Sequence, residues 1–216
     1  MLHHAAIVGC YCLQRTQRKE TPLVDNGTIR LLCKFSKEPG IFQMDWEEFE
    51  RLTDLLAQRI QADRCPDIIV GLQRGGLIPA VMLSHQLGTQ LFLSLPVKST
   101  SSDVVYASKR PPVIIANDLF AQIAGKDTVV VDDVVGSGDT LRGVLHTLHR
   151  YAPAQIRSVA YIVNREHWEP VNEREPMEAI TYIGEEIRGW VIFPWERRLF
   201  HPEDTENVET PSLPTL

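Results

Sequence analysis

The sequence predicts an α/β fold: a central, mostly parallel sheet flanked by helices, with a small hood toward the end of the domain. Three observations predict it. Short apolar runs alternate with segments whose apolar residues recur at steps of three and four. Small-residue turns separate them. Hydrophobic residues make up 44% and charged residues 23% of 216 positions, which suits one globular domain with a sizeable core. Strands that alternate with helices pair in parallel, because each helix carries the chain back to the sheet's starting end through a right-handed crossover.

Residues 1–40 give weak signals and read as an N-terminal extension. Their apolar patch AAIVGCYCL has no Lys or Arg before it, so it does not read as a signal peptide. The domain is expected over 41–196. Asp45 and Glu48 stand at capping-box spacing, and Trp46, Phe49, Leu52, Leu55, Leu56 and Ile60 follow at helical steps. This predicts an amphipathic helix of about four turns. DIIVGL (67–72) is a short buried strand, RGG a turn, and LIPAVMLSHQLG a helix stopped by Gly88. LFLSLPV (91–97) is the next strand.

Residues 99–112, STSSDVVYASKRPP, are too long and too polar for an ordinary connector and read as a lid or a disordered segment. TVVVDD (128–133) is a buried strand, TLRGVLHTLHRY (140–151) a helix and IRSVAYIVN (156–164) another strand. Residues 165–196, rich in charge and Trp, read as a hood of short strands and loops. The polar, proline-bearing stretch 197–216 reads as a flexible tail.

The formal charge of -6 argues against a broad basic surface for nucleic acid. No apolar run approaches the roughly 18 residues of a membrane helix, so no membrane partner is expected. Cys10, Cys12, Cys33 and Cys65 form no C-x-x-C pair, and no histidine pair stands at finger spacing from them. They read as free thiols in a reducing, cytoplasmic compartment.

The chemistry concentrates in TVVVDDVVGSGDTL (128–141). Asp132 and Asp133 fall at the carboxyl end of a parallel strand, where ligands gather. The loop after them runs into a helix N-terminus, whose unpaired N–H groups and dipole suit a phosphate. Gly136 and Gly138 let the backbone approach closely, and Ser137 and Thr140 add hydroxyl donors. Two acids beside a phosphate repel it unless they face vicinal ribose hydroxyls or a Mg²⁺ ion. The segment therefore describes a ribose 5-phosphate site with a metal. It has neither the G-K-[ST] ending of a P-loop nor the G-x-G-x-x-G spacing of a dinucleotide fold.

VVVDDVVGSGDTL resembles the phosphoribosyl pyrophosphate (PRPP) signature of type I phosphoribosyltransferases. PDIIVGLQRGGLIPA (66–80) is similar to that family's pyrophosphate loop, and VKS (97–99) to the opening of its mobile lid. GWVIFPWE (189–196) looks like the base-binding end segment of its xanthine–guanine branch. The resemblance spans roughly 45–196. It implies the type I phosphoribosyltransferase fold, PRPP and a nucleobase as substrates, Mg²⁺ as cofactor and a homodimer.

It also implies roles for named residues. Asp132 and Asp133 would hold the ribose hydroxyls and help place Mg²⁺. The backbone of Gly136, Ser137, Gly138, Asp139 and Thr140 would bind the 5-phosphate. Arg74, Gly75 and Gly76 would bind pyrophosphate, with a cis non-proline peptide at Gln73. Lys98 and Ser99 would open the lid, with Lys98 in the catalytic set. Trp190 would stack on a purine while the Val191 backbone reads its edge. Glu196 would hold a second Mg²⁺ or its water.

The chain departs from the 6-oxopurine branch at two positions. Gly136 stands where that branch carries an aspartate near the purine N7. Asn164 stands where it carries a lysine facing the 6-oxygen; an asparagine there donates to an oxygen or reads an amino group. Both departures concern the base, so the expected activity is transfer of ribose 5-phosphate from PRPP to a purine or purine-like base. The competing expectation is a PRPP- or nucleotide-sensing regulator with little catalysis.

Overall fold

The computed structural model describes residues 40–100, 109–115 and 118–196. Within them the chain runs β1 (Gly40–Gln43), α1 (Trp46–Asp63), β2 (Ile68–Gln73), α2 (Leu77–Leu87), β3 (Leu91–Thr100) and β4 (Lys109–Ile114). A 3-10 helix (Asp118–Ile123) leads into β5 (Asp127–Val135), α3 (Asp139–His149), β6 (Gln155–Asn164), α4 (Arg165–Trp168), α5 (Pro176–Ala179), β7 (Tyr182–Ile187) and β8 (Gly189–Ile192). Six strands form the main sheet in the order β4-β3-β2-β5-β6-β7. All its pairings are parallel except that of β4 with β3. The mixed α/β class and the mostly parallel sheet are as the alternating pattern predicts.

Local chemistry accounts for the helix boundaries. At the start of α1 the Asp45 carboxylate accepts from Glu48 N at 2.8 Å, and Glu48 Oε2 accepts from Asp45 N at 3.1 Å. Both bonds of the capping box therefore satisfy N–H groups that the helix leaves open. The helix then runs for 18 residues, about five turns, one more than its spacing predicts. α2 ends where Gly88 turns left-handed.

Strand alternation splits the core into two layers. Ile69, Val129, Val131, Val159 and Tyr161 face Phe49, Leu52, Leu56 and Ile60 of α1 and Leu83 and Leu87 of α2. Ile68, Val70, Val130, Ala160 and Val163 face Leu141, Val144 and Leu148 of α3, together with Phe120 and Ile123. The central strands are covered on both sides, which is why they read as continuous apolar runs.

Two segments differ from their sequence expectations. Lys109–Ile114, which overlaps the end of the stretch 99–112 read as lid or disorder, is an antiparallel edge strand, where a proline's missing N–H costs no ladder bond if it faces outward; residues 101–108 lie outside the described residues. The stretch 165–196 is only partly a hood, because β7 joins the main sheet beside β6. The remaining strand, β8, pairs in parallel with β1, placing Ile41 opposite Trp190 and Phe42 opposite Val191. The N-terminal extension before Gly40 and the tail from 197 onward lie outside the described residues.

At the amino ends of the strands, Arg157 grips Asp127 through Nε at 3.1 Å and Nη2 at 2.8 Å, and donates to Tyr182 Oη at 2.7 Å. The Arg157 and Asp127 side chains are 4% and 1% exposed. Arg157→Met should destabilise the fold by about 3 kcal/mol, because it leaves the buried Asp127 carboxylate with only the exposed Arg64 guanidinium at 3.7 Å. The ligand-bearing ends of the strands lie opposite, so the activity of the folded fraction should be unchanged. Denaturant melts and assays of the same preparation check both halves.

Candidate active site

The strand order itself locates the site. From β2 the chain moves outward through β3 and β4, then returns to the other side of β2 as β5. The carboxyl ends of β2 and β5 therefore flank a topological switch point, and the connections there diverge and leave a crevice. A cavity of about 540 Å³ opens at this place.

Its two walls are the turns that follow those strands. After β2, the Gln73–Arg74 peptide is cis, as the resemblance implies. Gly75 and Gly76 then lie against β5. A Cβ at Gly75 would overlap the Asp133 carboxylate, and one at Gly76 would stand 2.7 Å from Val131 O and 2.8 Å from Leu72 O. Only glycines let this turn close onto the acidic pair. After β5, Gly136, Ser137 and Gly138 lead into α3, and Gly138 takes a φ of 77° as its N-cap. A glycine cap brings no side-chain acceptor, so the helix N-terminus lacks the side-chain cap that Asp45 gives α1. Asp139 N stands 3.5 Å from Ser137 Oγ, a long bond. The N–H groups and dipole of α3 thus favour an anion at this wall.

The floor is acidic. Removal from water, and then the charge of Asp133, push the Asp132 carboxyl well above the usual carboxylate range. Burial also raises Asp133, against a lowering bond from Val134 N to its Oδ1 at 2.9 Å. Two carboxylates crowded together out of water favour a cation between or before them. Among the described residues no three His, Cys, Asp or Glu side chains converge tightly enough to hold a metal by themselves. That donor set still fits Mg²⁺, which commonly takes one or two carboxylates and completes its shell with water and phosphate oxygens. Glu196 lies in the same cavity, where burial raises its carboxyl; Asp133 adds to the shift and Arg74 opposes it.

The structure brings most of the expected residues together. Gln73, Arg74, Gly75, Asp132, Asp133, Gly136, Ser137, Gly138, Thr140, Asn164, Trp190, Val191 and Glu196 all line the cavity. Gly76 lies behind the wall, against Val131 and Leu72. Asp139 points its carboxylate away, to Arg142 Nη2 at 2.6 Å and Ser137 Oγ at 2.8 Å, so it braces the loop. Lys98 and Ser99 belong to β3, and their side chains lie outside the described part.

Asn164 needs correction. As the cap of α4 its Oδ1 accepts from Glu166 N at 3.0 Å, while Nδ2 reaches Gly189 O at 2.6 Å and His167 Nδ1 at 3.1 Å. Both amide hydrogens are spent within the protein, so Asn164 does not donate to a base.

Sequence reasoning missed the braces behind the phosphate-like loop. Asn172 Nδ2 donates to Ser137 O at 3.0 Å, Arg142 Nη1 donates to Asn172 Oδ1 at 2.9 Å, and the Trp168 ring packs on Gly138. It also missed His167, which lines the cavity. Trp195, in contrast, stacks on Phe193 at 4.6 Å and edges onto Phe49, as a core aromatic.

A family model described as the phosphoribosyl transferase domain matches residues 45–196. The chain belongs to this family. The phosphoribosyl transferase match opens at the cap of α1 and closes at Glu196, so it contains every cavity-lining residue. This is an enzyme family, and its members include relatives of similar length. The xanthine-guanine phosphoribosyltransferase of Cereibacter sphaeroides is 29% identical over 169 residues, covering 75% of this chain and 90% of its own. That of Idiomarina loihiensis is 26% identical over 170 residues, covering 78% and 95%. The solved purine phosphoribosyltransferase from Pyrococcus horikoshii Ot3 matches with a TM-score of 0.57 at 26% identity, over 82% of this chain and 99% of that one. Among the described residues no helix is long and apolar enough to cross a membrane.

Proposed function

We propose that this phosphoribosyl transferase is Mg²⁺-dependent and moves ribose 5-phosphate from PRPP to a purine or purine-like base, releasing pyrophosphate. One observation carries the reading: two anion-friendly turns, after β2 and β5, converge on one carboxylate pair and share a cavity with the Trp190 strand. The names of the xanthine-guanine and purine relatives support a purine acceptor.

We assign the roles that the resemblance implies, and the shared cavity supports them. The main chain of Gly136–Thr140 receives the 5-phosphate at the α3 N-terminus. Asp132 and Asp133 accept from the ribose hydroxyls. Arg74, with the N–H groups of Gly75 and Gly76, takes the pyrophosphate. Asp132, Asp133 and Glu196, the last through water, would hold Mg²⁺, which when bound neutralises charge on the departing group. Trp190 stacks on the base, the Val191 backbone reads its edge, and Lys98 and Ser99 open a lid that excludes water. The C1–O bond to pyrophosphate breaks, the C1–N bond to the base forms, and the base gives up its N–H proton to solvent. Positioning and charge neutralisation supply the acceleration.

Pyrophosphate release from PRPP, measured over a panel of purines with Mg²⁺ and with chelator, tests this. Release with at least one purine, abolished by chelation, is expected. No release with any base overturns the proposal, and PRPP-dependent thermal stabilisation without release marks a sensor instead.

Gly136 lines the cavity without a side chain. Gly136→Asp should place a carboxylate at the base and raise kcat/KM for hypoxanthine or guanine by about tenfold, a modest share of what general acid–base groups contribute. An unchanged base preference would remove Gly136 from the base site.

A further inference from the structure

We propose that Asn172 is a positioning residue for the phosphate loop: by holding the Ser137 carbonyl from behind, it fixes the Ser137–Gly138 peptide with its N–H turned toward the cavity. The inference deepens the reading of this loop as a 5-phosphate site and rests on it.

The loop has a freedom that an anion site must lose. Gly138 has a φ of 77° and a ψ of -1°, the values of the third residue of a type II turn. A type I turn follows nearly the same path with the preceding peptide rotated by roughly half a turn, and a glycine accepts both. The two states show opposite edges of one peptide to the cavity. An N–H there attracts a phosphate, and a carbonyl repels it.

Asn172, half-buried behind the loop, decides between them. Its Nδ2 donates to Ser137 O at 3.0 Å and to Trp168 O at 3.1 Å, and its Oδ1 accepts from Arg142 Nη1 at 2.9 Å. The carbonyls can only accept and the guanidinium can only donate, so the sense of the amide is fixed. In a trans peptide the C=O and N–H point in opposite directions. Ser137 and Gly138 line the cavity and Asn172 does not, so a carbonyl turned to Asn172 sends the Gly138 N–H to the cavity side. The Cα of Gly138 agrees. A Cβ there would fall 2.7 Å from the Trp168 ring and 3.4 Å from Arg142 Nη1, on residues that do not line the cavity.

Asn172 is itself held. Its N–H donates to Trp168 O at 3.1 Å, and Trp168 Nε1 donates to Arg174 O at 2.8 Å, so the turn is folded about a ring only 2% exposed. From Asn172 the bonds close a circuit. Arg142 Nη2 donates to Asp139 Oδ1 at 2.6 Å, and Ser137 Oγ donates to Asp139 Oδ2 at 2.8 Å. The circuit starts and ends on Ser137, and within it the Arg142 guanidinium offsets the Asp139 charge beside the anion wall.

The test uses the full chain with ribose 5-phosphate and PRPP as ligands, titrated by calorimetry and followed by NMR. Ser137–Gly138 is the only Ser–Gly step in the sequence, so labelling serine at its carbonyl carbon and glycine at its nitrogen isolates this one amide. In wild type both ligands should move the Gly138 amide proton downfield. Asn172→Leu removes the donor and adds no charge. It should weaken both ligands by about tenfold, the scale of one hydrogen bond to a charged group, and the downfield shift should vanish. Asn172→Asp keeps the shape and the Arg142 partner but offers an acceptor, so the peptide should turn over. Its Gly138 amide should lie downfield before any ligand is added, and ribose 5-phosphate should leave it there. If Asn172→Leu does not fold, Asn172→Asp carries the test alone. Wild-type affinity in the variants would overturn the proposal. So would weaker binding with the Gly138 response intact, which marks a merely structural loss. A wild-type Gly138 amide that ignores both ligands would instead sink the 5-phosphate reading, and this inference with it.

Discussion

Asp133→Asn is expected to lower kcat/KM for PRPP by about two orders of magnitude, the scale of removing one electrostatic contact at a reacting centre. The amide keeps the shape and can still accept from Val134 N, which bonds Oδ1 at 2.9 Å in the wild type. It gives up the charge that would face the ribose hydroxyls and the metal. The same change should hold or raise the melting temperature of the ligand-free protein at neutral pH. The sign follows from the raised carboxyls of Asp132 and Asp133. A carboxyl raised by folding contributes its full stability below its unfolded value, near 3.8, and loses it as pH climbs through the raised value. The wild-type melting temperature should therefore fall relative to the variant as pH rises from about 4 toward neutrality, and the two curves should meet at the acid end. Thermal melts across that range and steady-state kinetics with PRPP check the pair of effects. Wild-type kinetics would remove Asp133 from the ribose site; a variant less stable at pH 7 would refute the electrostatic account.

Gly75→Ala is expected to lower turnover as severely, by about two orders of magnitude, because its Cβ claims the space of the Asp133 carboxylate. The obstacle is the end of a side chain, so Asp133 yields and the fold loses only about 1 kcal/mol. Gly76→Ala meets main-chain oxygens at 2.7 and 2.8 Å that cannot swing aside. It should cost more stability, about 2–3 kcal/mol. The adjacent glycines thus separate function from folding. In a double-mutant cycle Gly75→Ala and Asp133→Asn should be far from additive in kcat/KM, since each removes the same carboxylate from its place. Additive losses would show that the turn and the acid act independently.

The sequence made some of this site legible and hid the rest for identifiable reasons. The capping box of Asp45 and Glu48, the stop at Gly88, and the run from Val129 through Thr140 are signals written in neighbouring residues. Their physics is local, so reading them in order suffices. β4 was hidden because Pro111 and Pro112 suggest a loop, and only the strand's place at the sheet edge removes the objection. β7 was assigned to the hood because nothing in YIGEEI tells whether it pairs with β6 or with β8. His167 escaped because α4 has four residues, too few for a helical period to show. The resemblance makes Asn164 a base contact; its bonds to Glu166 and His167 are local, but the one to Gly189 depends on a strand that arrives 25 residues later. Long-range closure, not residue type, decided β4, β7 and the Asn164–Gly189 bond.

The small β1–β8 sheet has a practical consequence for anyone cutting this chain. The family match begins at 45, yet Gly40–Gln43 is the only described strand that hydrogen-bonds to the one carrying Trp190. A fragment trimmed to the matching residues keeps both anion loops and every side chain of the cavity, but its Trp190 strand loses its neighbour. Such a fragment should still take up PRPP while its grip on the base slackens. The folded unit and the recognisable unit have different edges, and the few residues between them supply the described strand that backs the Trp190 strand.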